Sequence, residues 1–378
     1  MNKVYLHTDN IFSPLGETTA ANMNALRLGI SGIRREKKLL GDEPVCASLF
    51  PAGLQPLSDN EKHHDLSFFE SITLASASDA LKNSGLDARD SRTGFILSTT
   101  KGNISLVEAE NRQEIPESLL SLNDSADRIA RALGMQGESL VVSHACISGL
   151  LAMITGMRLI QAGRYDHLVI TGADLITPFI FSGFRSFQAI SPNPCRPFDA
   201  ARDGISLGEA AATVILSAEK SSDSIQLKGG AVTNDANHIS GPSRTGHELA
   251  LAILRALKQS NVEPEEIDFI SAHGTATRYN DEMEAKAFHL AGLQEKPVNS
   301  LKGYYGHTLG AAGLLESIIT IHSMKENILI PTLGFTSPGT ELPVNIVKSF
   351  TSATLKRTLK TASGFGGCNA AIILENPN

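Results

Sequence analysis

One cysteine stands where enzymes commonly place a nucleophile. Cys146 lies in the segment VVSHACISGLL (141–151), between an apolar, strand-like run and the start of a predicted helix. Unpaired backbone N–H groups and the positive end of a helix dipole favour a thiolate at such a position, so we expect the pKa of this thiol to be lowered. The alternative is a packing role, because free cysteine is among the most buried residue types.

Two histidines and a lysine in the second half are the other candidates for chemistry. His273 follows the apolar run of IDFISAHGT (267–275), while Lys302 and His307 lie in the glycine-rich segment SLKGYYGHTLGAAG (300–313). Open α/β sheets present ligand-contacting groups where their strands end. Each histidine alone also fits a structural role, since imidazole serves both. Their matching positions after strands, beside glycines that permit close approach of a substrate, predict a shared site.

The surrounding elements are predicted from hydrophobic periodicity. Apolar residues recur at helical spacing after Cys146, at Leu150, Ile154, Met157 and Ile160. Strand-like runs occur in both halves of the chain, for example HLVITGAD, GEAAATVILSAE and GGCNAAIILEN, and they alternate with predicted helices. This repeated pattern of strand-like and helical segments predicts two similar α/β halves. The continuous Val, Ile and Leu runs predict strands buried on both faces of a mostly parallel sheet.

The composition excludes several classes of partner. The chain has 378 residues, 42% of them hydrophobic, and a net charge of −7, so its overall charge does not indicate nucleic-acid binding. Its four cysteines are too scattered for a disulfide framework, and no apolar run approaches the ~20 residues of a membrane span. We therefore expect a cytoplasmic protein with no nucleic-acid partner and no membrane span. Nucleotide-binding and metal-binding motifs are missing, so we expect no cofactor and no metal.

Several segments together resemble one family along the whole chain. They are GISGIRR, HACISGLLAM, CRPFDAARDGISLGEAAATVIL, DANHISGP, HGTATRYNDEMEAKAF, SLKGYYGHTLGAAGLLESI and GFGGCNAAIILE. The sequence resembles the β-ketoacyl-acyl carrier protein synthases, which are condensing enzymes of the thiolase superfamily. The resemblance implies an α/β, thiolase-like fold with two duplicated α/β halves in a five-layered αβαβα arrangement. We place the N-terminal half at residues 1–222 and the C-terminal half at residues 223–378.

The resemblance also implies a role for each candidate residue. Cys146 is the expected acyl-accepting nucleophile, and the backbone N–H groups of Cys146 and Phe365 are the expected oxyanion hole. His273 and His307 are the expected pair that stabilises an enolate, and Phe365 is also the expected gate beside the thiol. Lys302 and Glu284 are expected to form a supporting ion pair.

The implied reaction is a decarboxylative Claisen condensation of an acyl group on the cysteine with malonyl-acyl carrier protein. Two histidines, rather than a histidine and an asparagine, are typical of the elongating branch. The pathway would be fatty acid or type II polyketide synthesis, and the segment ILSTTKGNIS is faintly similar to ketosynthases of aryl polyene clusters. Expected partners are acyl- and malonyl-loaded acyl carrier protein, and a second subunit in a homodimer or in a heterodimer with a related ketosynthase or chain-length subunit.

The substrate pocket is predicted from aromatic residues. The helix after Cys146 and the segment TPFIFSGF, with Phe179, Phe181 and Phe184, are expected to line an acyl channel, and His238 of DANHISGP is a further candidate. These aromatics could equally pack in the core or at a dimer interface.

Docking of an acidic carrier protein calls for basic residues near the pocket. The chain offers two weak candidates, one at Lys62, His63 and His64 and one in the segment GIRREKKLL, which contains Arg34, Arg35, Lys37 and Lys38. A run of this kind is usually a solvated helix face.

Two alternative functions follow from the same residues. The chain could be a non-condensing partner that shapes the pocket of a ketosynthase heterodimer, although such partners typically lack the cysteine that is present here. It could also be a coenzyme A-dependent thiolase, since thiolases use a second cysteine near the C-terminus and Cys368 lies there. The glycine-rich segment around Cys368 resembles ketosynthases instead, and we expect this thiol to pack as a small hydrophobic group.

Overall fold

The computed structural model describes residues 2–36, 45–57, 65–108 and 115–377 of the chain. The strands are β1 (Tyr5–Phe12), β2 (Arg34–Glu36), β3 (Val45–Ser48), β4 (Thr93–Ser98), β5 (Ser139–Val142), β6 (His167–Asp174), β7 (Leu207–Gly208), β8 (Ala210–Ser217), β9 (Ile225–Asn234), β10 (Phe269–Ser271), β11 (Val298–Asn299), β12 (Ile328–Leu329), β13 (Thr351–Ser352), β14 (Arg357–Gly364) and β15 (Cys368–Glu375).

The α-helices alternate with these strands. They are α1 (Thr19–Arg27), α2 (Phe68–Ser84), α3 (Leu122–Ala132), α4 (Ser148–Gln161), α5 (Pro178–Ser186), α6 (His247–Ser260), α7 (Arg278–Leu290), α8 (Lys302–Tyr305) and α9 (Ala312–Glu326). Local sequence explains their bounds. Helix α2, for example, begins with a capping box between Ser67 and Glu70 and ends at Gly85, which adopts φ 70°.

The largest sheet repeats one topology twice. Its strand order is β11-β10-β14-β15-β9-β1-β8-β6-β4-β5. In the first half the spatial order from the outer edge inwards is β5, β4, β6, β8 and β1. Numbered by their occurrence in the chain, these are the third, second, fourth, fifth and first strands of that half. Strands β9, β10, β11, β14 and β15 take the same order in the second half, and the halves meet where β1 pairs with β9. The predicted duplication is therefore present in the connectivity.

The layers around this sheet are α-helical. Helices α2 and α3 pack on strands of the first half, and α6 packs on β9 and β15 of the second half with α7 against it. Helices α4 and α9 contact each other and also strands of both halves, so they form the central layer. This arrangement agrees with the expected αβαβα fold.

The expectation of a mostly parallel sheet was wrong. The β4–β5, β4–β6, β10–β11 and β10–β14 pairs are parallel, whereas β8 and β15 run antiparallel to both of their neighbours. Every residue of β6 and β8 is buried. The continuous apolar runs thus indicate that both faces of the sheet are covered by helices. They do not indicate whether neighbouring strands are parallel or antiparallel.

Of the basic residues considered for carrier docking, the structure describes only Arg34 and Arg35. Arg34 and Arg35 lie on the short strand β2, with exposed side chains, and not on a helix face. The remaining basic candidates, Lys37 and Lys38 with the group Lys62, His63 and His64, lie outside the described residues.

Candidate active site

Cys146 occupies a tight turn between β5 and α4. Ala145 adopts φ 45°, a left-handed conformation that is unusual for a residue with a side chain. The hydroxyl of Ser148 closes the turn, because its Oγ accepts the His144 N–H at 2.7 Å and donates to the Ala145 carbonyl at 2.6 Å. The sequence therefore places the thiol directly before the first turn of α4, as expected.

The electrostatics of Cys146 differ from the expectation. Burial raises the pKa of its thiol to about 12, and the neighbouring Cys368 acts in the same direction. The Lys302 ammonium and the backbone N–H of Phe365, which hydrogen-bonds the sulfur, act to lower the pKa but do not overcome burial. The resting cysteine is consequently a protonated thiol. The helix terminus alone could not predict this, since the side chain is only 6% exposed.

His273 lies just after β10 and is held on several sides. Its backbone N–H donates to Glu284 at 2.8 Å, and its carbonyl accepts from Lys302 Nζ at 2.7 Å. Lys302 Nζ also lies 3.3 Å from Nδ1 of the ring. An ammonium group can only donate, so Nδ1 is the acceptor and the ring hydrogen resides on Nε2.

His307 has the same tautomer for a different reason. Its Nδ1 accepts the backbone N–H of Leu309 at 3.3 Å, which leaves the hydrogen on Nε2. That Nε2 is buried and has no partner among the described residues. Gly208 allows this loop to pack, because a Cβ at that position would stand 1.9 Å from the Tyr305 carbonyl oxygen.

The three side chains converge on one cavity. Sγ of Cys146 and one ring nitrogen each of His273 and His307 lie within 4.8 Å of one another, and the two imidazole centroids are 5.1 Å apart. All three residues line a cavity of about 400 Å³. Such a triad could also ligate a metal ion, but the hydrogen bonds at Nδ1 make both Nε2 atoms donors rather than ligands.

Burial dominates the charge state of both imidazoles. It lowers the pKa of His273 and of His307 well below 6.5, and the positive charge of Lys302 adds to the effect. Both rings are therefore neutral hydrogen-bond donors around neutral pH. The arrangement presents a thiol nucleophile and two N–H donors to one substrate, which suits attack on a carbonyl and stabilisation of a developing oxyanion.

The expected ion pair between Lys302 and Glu284 was wrong. Lys302 Nζ pairs with Glu316 Oε1 at 2.6 Å. Glu284, on α7, accepts the backbone N–H groups of His273 and Gly274 at 2.8 and 2.6 Å. Both carboxylates lie near His273, and the approach of α9 decides which one reaches the ammonium group. Sequence spacing alone does not contain that information.

The aromatic residue expected to act as a gate lies at the cavity. The ring of Phe365 packs against Phe184 and Phe187, with both pairs of centroids 5.2 Å apart. Gly366 and Gly367 follow with φ of 82° and 81°, conformations that favour glycine. Phe365 thus brings its backbone N–H to the sulfur while its side chain covers one wall of the cavity.

The prediction of the pocket lining was only partly right. Phe184 lines the cavity, but Phe179 is 57% exposed at the surface and Phe181 is buried in a separate core cluster. His238 is exposed and contacts Ser240, and it is Ser240 that reaches the cavity. The described lining includes no residue of helix α4, because that helix is packed between the two halves of the sheet.

Several residues of the site were missed by sequence reasoning. They include Phe187 and Ser240 in the cavity lining, and two buried charged residues behind His273, Glu316 and Lys360. Phe181, Phe184 and Phe187 recur every three positions, so their spacing alone could not separate the two cavity residues from the core residue. A lysine in the middle of a strand whose other charged residue is the terminal Arg357 was the signal for Lys360.

Cys368 packs as a structural residue, as expected. Its side chain is 1% exposed, and burial raises its pKa to about 11. The Ile147 N–H hydrogen-bonds this sulfur, so Cys368 ties strand β15 to the first turn of α4.

Comparison with known proteins assigns the family. Residues 13–222 match the family Beta-ketoacyl synthase, N-terminal domain, and residues 225–336 match Beta-ketoacyl synthase, C-terminal domain. The chain belongs to the beta-ketoacyl synthase family. Membership confirms the fold and the enzyme class predicted from the sequence, a condensing acyltransferase.

Three relatives span between 81% and 99% of the chain. It is 28% identical to 3-oxoacyl-(acyl-carrier-protein) synthase 2 of Vibrio cholerae, over 97% of each chain. It is 31% identical to the tetracenomycin polyketide synthase ketoacyl synthase alpha subunit of Streptomyces glaucescens, over 81% of this chain and 80% of that one. Among solved structures, a ketosynthase in complex with its chain length factor from Xenorhabdus doucetiae matches with a TM-score of 0.89 and 26% identity, covering 99% and 98% of the chains.

The helices give no indication of a membrane span. Within the described ranges, none combines the length and the hydrophobicity that crossing a bilayer requires.

Proposed function

We propose that this chain catalyses the decarboxylative Claisen condensation of an acyl group carried on Cys146 with malonyl-acyl carrier protein, in fatty acid or type II polyketide synthesis. One observation carries the proposal. The Cys146 sulfur and two imidazoles with donor Nε2 atoms share a single cavity, with ring nitrogens and sulfur within 4.8 Å. A cytoplasmic location accompanies this proposal.

Acyl transfer would come first. Cys146 Sγ attacks the thioester carbonyl of the acyl carrier protein, and the backbone N–H groups of Cys146 and Phe365 stabilise the oxyanion. The carbon–sulfur bond to the carrier breaks, and the thiol proton leaves with the carrier thiol. The raised pKa of Cys146, about 12, means that this proton is lost during attack rather than beforehand.

Condensation would follow at the same site. The thioester oxygen of the malonyl group accepts hydrogen bonds from Nε2 of His273 and of His307, which stabilises the enolate formed as carbon dioxide departs. The enolate carbon then attacks the acyl-cysteine, the carbon–sulfur bond breaks, and the released cysteine thiolate takes up a proton from solvent. Lys302 would orient His273 and fix its tautomer, through its contacts with the ring and the backbone carbonyl.

A related subunit is the proposed structural partner, through strand β5. This strand is the edge of the main sheet, and Ser143 and His144, which follow it, are exposed. Unpaired edge strands readily pair with a second chain. Solved relatives include ketosynthase and chain length factor complexes, which supports pairing with a second copy or with a subunit of the same fold.

Intact-protein mass spectrometry tests the reaction. The native chain, Cys146→Ala and the control Cys195→Ala, a buried cysteine outside the cavity lining, are incubated with acyl-loaded carrier protein, and malonyl-carrier protein is then added. We expect one acyl mass on the native chain and on Cys195→Ala, its absence from Cys146→Ala, and release of a ketoacyl product. If the native chain stays unacylated alone and with a candidate partner, the non-condensing partner function replaces this proposal.

A further inference from the structure

Four charged side chains lie buried together behind His273. They are Lys302, Lys360, Glu284 and Glu316, and none is more than 3% exposed. Glu316 is shared, because its Oε1 lies 2.6 Å from Lys302 Nζ and its Oε2 lies 2.6 Å from Lys360 Nζ. Two ammonium groups and two carboxylates make the cluster electrically neutral. Each charge is thereby compensated, as burial requires.

The ammonium group of Lys360 also binds the end of strand β10. It donates to the carbonyls of Ser271 and Ala272 at 3.3 and 3.2 Å, and to the Thr361 carbonyl at 2.8 Å. Lys302 takes the next carbonyl along the chain, that of His273. Three successive carbonyls are therefore held by two ammonium groups that share one carboxylate.

The other side of His273 is connected to the same strand as Lys360. Thr361 donates its hydroxyl to Glu284 Oε1 at 3.0 Å, and that oxygen also accepts the His273 N–H. Strand β14 thus supports the backbone of His273 through Lys360 and through Thr361.

We infer that Lys360 is a positioning residue for the imidazole of His273, acting as a tethered cation between Glu316 and the carboxyl end of β10. The expected effect on activity rests on the proposed function, since it requires that His273 takes part in condensation. The expected effects on thermal unfolding and on the imidazole pKa values do not depend on that function.

The charge of Lys360 also reaches both imidazoles. It is a further cause of the lowered pKa of both rings, after burial and Lys302 at His307 and after burial, Lys302 and His307 at His273. The other charged or titratable groups around each ring include the neighbouring imidazole, the Cys146 thiol and the carboxylates of Glu284 and Glu316. Loss of the Lys360 charge leaves these carboxylates in excess, so the pKa of each imidazole should rise.

The oxygens around the ammonium group define a test by chemical rescue. Lys360→Ala would leave a space bounded by the Glu316 carboxylate and three backbone carbonyls, and such oxygens accept hydrogen bonds from ammonium and coordinate potassium. Ammonium or potassium ions should occupy that space. Lys360→Met would fill the space without a charge, so it should resist rescue.

The experiment compares the native chain, both variants and the control Lys228→Met. Lys228 forms an ion pair of the same 2.6 Å length with Glu375, but it is partly exposed and lies outside the cavity lining. Thermal unfolding and malonyl-carrier decarboxylation are measured in choline chloride and in equal concentrations of ammonium or potassium chloride. Histidine NMR titrations report the imidazole pKa values without any need for activity.

We expect Lys360→Ala to unfold at lower temperature than the native chain and to lose activity on the order of a hundredfold, as a displaced catalytic group does. Ammonium or potassium should restore both properties in a saturable way, while choline should not. Lys360→Met should show raised imidazole pKa values and no rescue, and Lys228→Met should behave as the native chain.

Unchanged imidazole pKa values in Lys360→Met, or the same response of Lys360→Ala to choline as to ammonium, would overturn the inference.

Should the single variants fail to fold, the double variant Lys360→Met with Glu316→Gln removes one charge of each sign. Its imidazole pKa values should then lie close to those of the native chain. A native chain without decarboxylase activity would defeat the proposed function alone, since the thermal and NMR measurements still decide the role of Lys360.

Discussion

Each imidazole of the site is defined by the hydrogen bond at its Nδ1. Lys302 Nζ occupies this position on His273, and the Leu309 N–H occupies it on His307. Both rings therefore direct an N–H toward the cavity, and both must remain neutral to keep their Nδ1 acceptors. The chemistry of the pair thus depends on a low imidazole pKa as much as on geometry.

The pH dependence of decarboxylation follows from these shifts. Burial first, and then Lys302, lowers the pKa of both imidazoles well below 6.5. We expect the rate to be constant from about pH 8 down to the ordinary histidine pKa and to fall only at lower pH, when the rings become protonated. In Lys302→Met the loss of a nearby positive charge should move the acid limb to higher pH. An acid limb of the native chain centred above pH 6.5 would contradict the assignment.

The folding stability is expected to change with pH in the same direction as the rate. Unfolded histidines take up protons near their ordinary pKa of 6.5, while the folded rings do not, so the unfolded state binds more protons in this range. The contribution of His273 and His307 to stability is fully present above that pKa and is lost as the pH falls from it through the lowered pKa of the folded rings. Thermal unfolding measured over the same pH range checks the shift independently of activity.

Sequence reasoning identified residue types better than residue partners. Cys146, His273, His307 and Lys302 come from short motifs, and the structure brings all four together. The wrong partner for Lys302 has a physical cause. Several buried carboxylates lie near the site, and the choice among them depends on helix packing. The prediction of a lowered pKa for Cys146 was wrong for a similar reason. Burial raises this pKa, and burial depends on residues far away in the sequence.

Helices α4 and α9 bring the catalytic turns together by crossing at two glycines. A Cβ on Gly149 would lie 2.7 Å from the Leu314 backbone nitrogen, and a Cβ on Gly313 would lie 2.6 Å from the Leu150 nitrogen. Both contacts are with backbone, which cannot move aside as a flexible side chain can. The helices begin just after Cys146 and His307, so their separation sets the distance between the thiol and that imidazole.

Gly149→Ala should therefore damage both stability and activity. We expect a loss of about 1–3 kcal/mol in the free energy of unfolding, the usual cost of overpacking. Condensation should fall further than this loss of folded protein explains, because the two turns move apart. The matched control is Gly183→Ala in α5, where a Cβ meets nothing within 4 Å and stability should rise by about 0.4–1 kcal/mol. Denaturant unfolding curves and single-turnover assays give both quantities, and an unchanged unfolding midpoint for Gly149→Ala would refute the argument.

Elements were predictable where periodicity and burial agree. The segment predicted as a strand at residues 167–174 is strand β6 with the same bounds. The segment TPFIFSGF was harder, because its helix is short and three of its eight residues are phenylalanine. The helical turn sends Phe179, Phe181 and Phe184 to the surface, the core and the cavity respectively. Composition alone could not separate these three environments.

At the scale of the whole molecule, the duplication explains where the site lies. The turns after β5 and β11, which carry Cys146 and His307, hold equivalent positions in the two halves, and each leads into a central helix. The site is therefore formed between the halves, although the boundary between residues 222 and 223 remains a prediction. The repeated strand order also leaves β5 and β11 as the outer strands of the sheet.

Strand β5 offers a specific way to test subunit pairing. The Val142 carbonyl accepts the Thr99 N–H at 3.3 Å, so it faces inward to the β4 side. Successive residues of a strand alternate, and the N–H and carbonyl of Val141 therefore face away from the sheet. Val141→Pro removes an outward donor without removing a hydrogen bond between β4 and β5, since proline is tolerated on edge strands.

We expect Val141→Pro to abolish pairing through β5, whereas Val141→Thr, which keeps the N–H and a β-branched shape, should still pair. Size-exclusion chromatography with light scattering distinguishes a monomer from a dimer for the chain alone, and co-purification with a co-expressed ketosynthase-like subunit tests the heterodimer. A native chain that is monomeric alone but pairs with the related subunit would assign the edge to the heterodimer, and the proline variant must then lose that subunit. A Val141→Pro chain that pairs as the native chain does would place the interface elsewhere, since the outward N–H of the β5 edge has been removed.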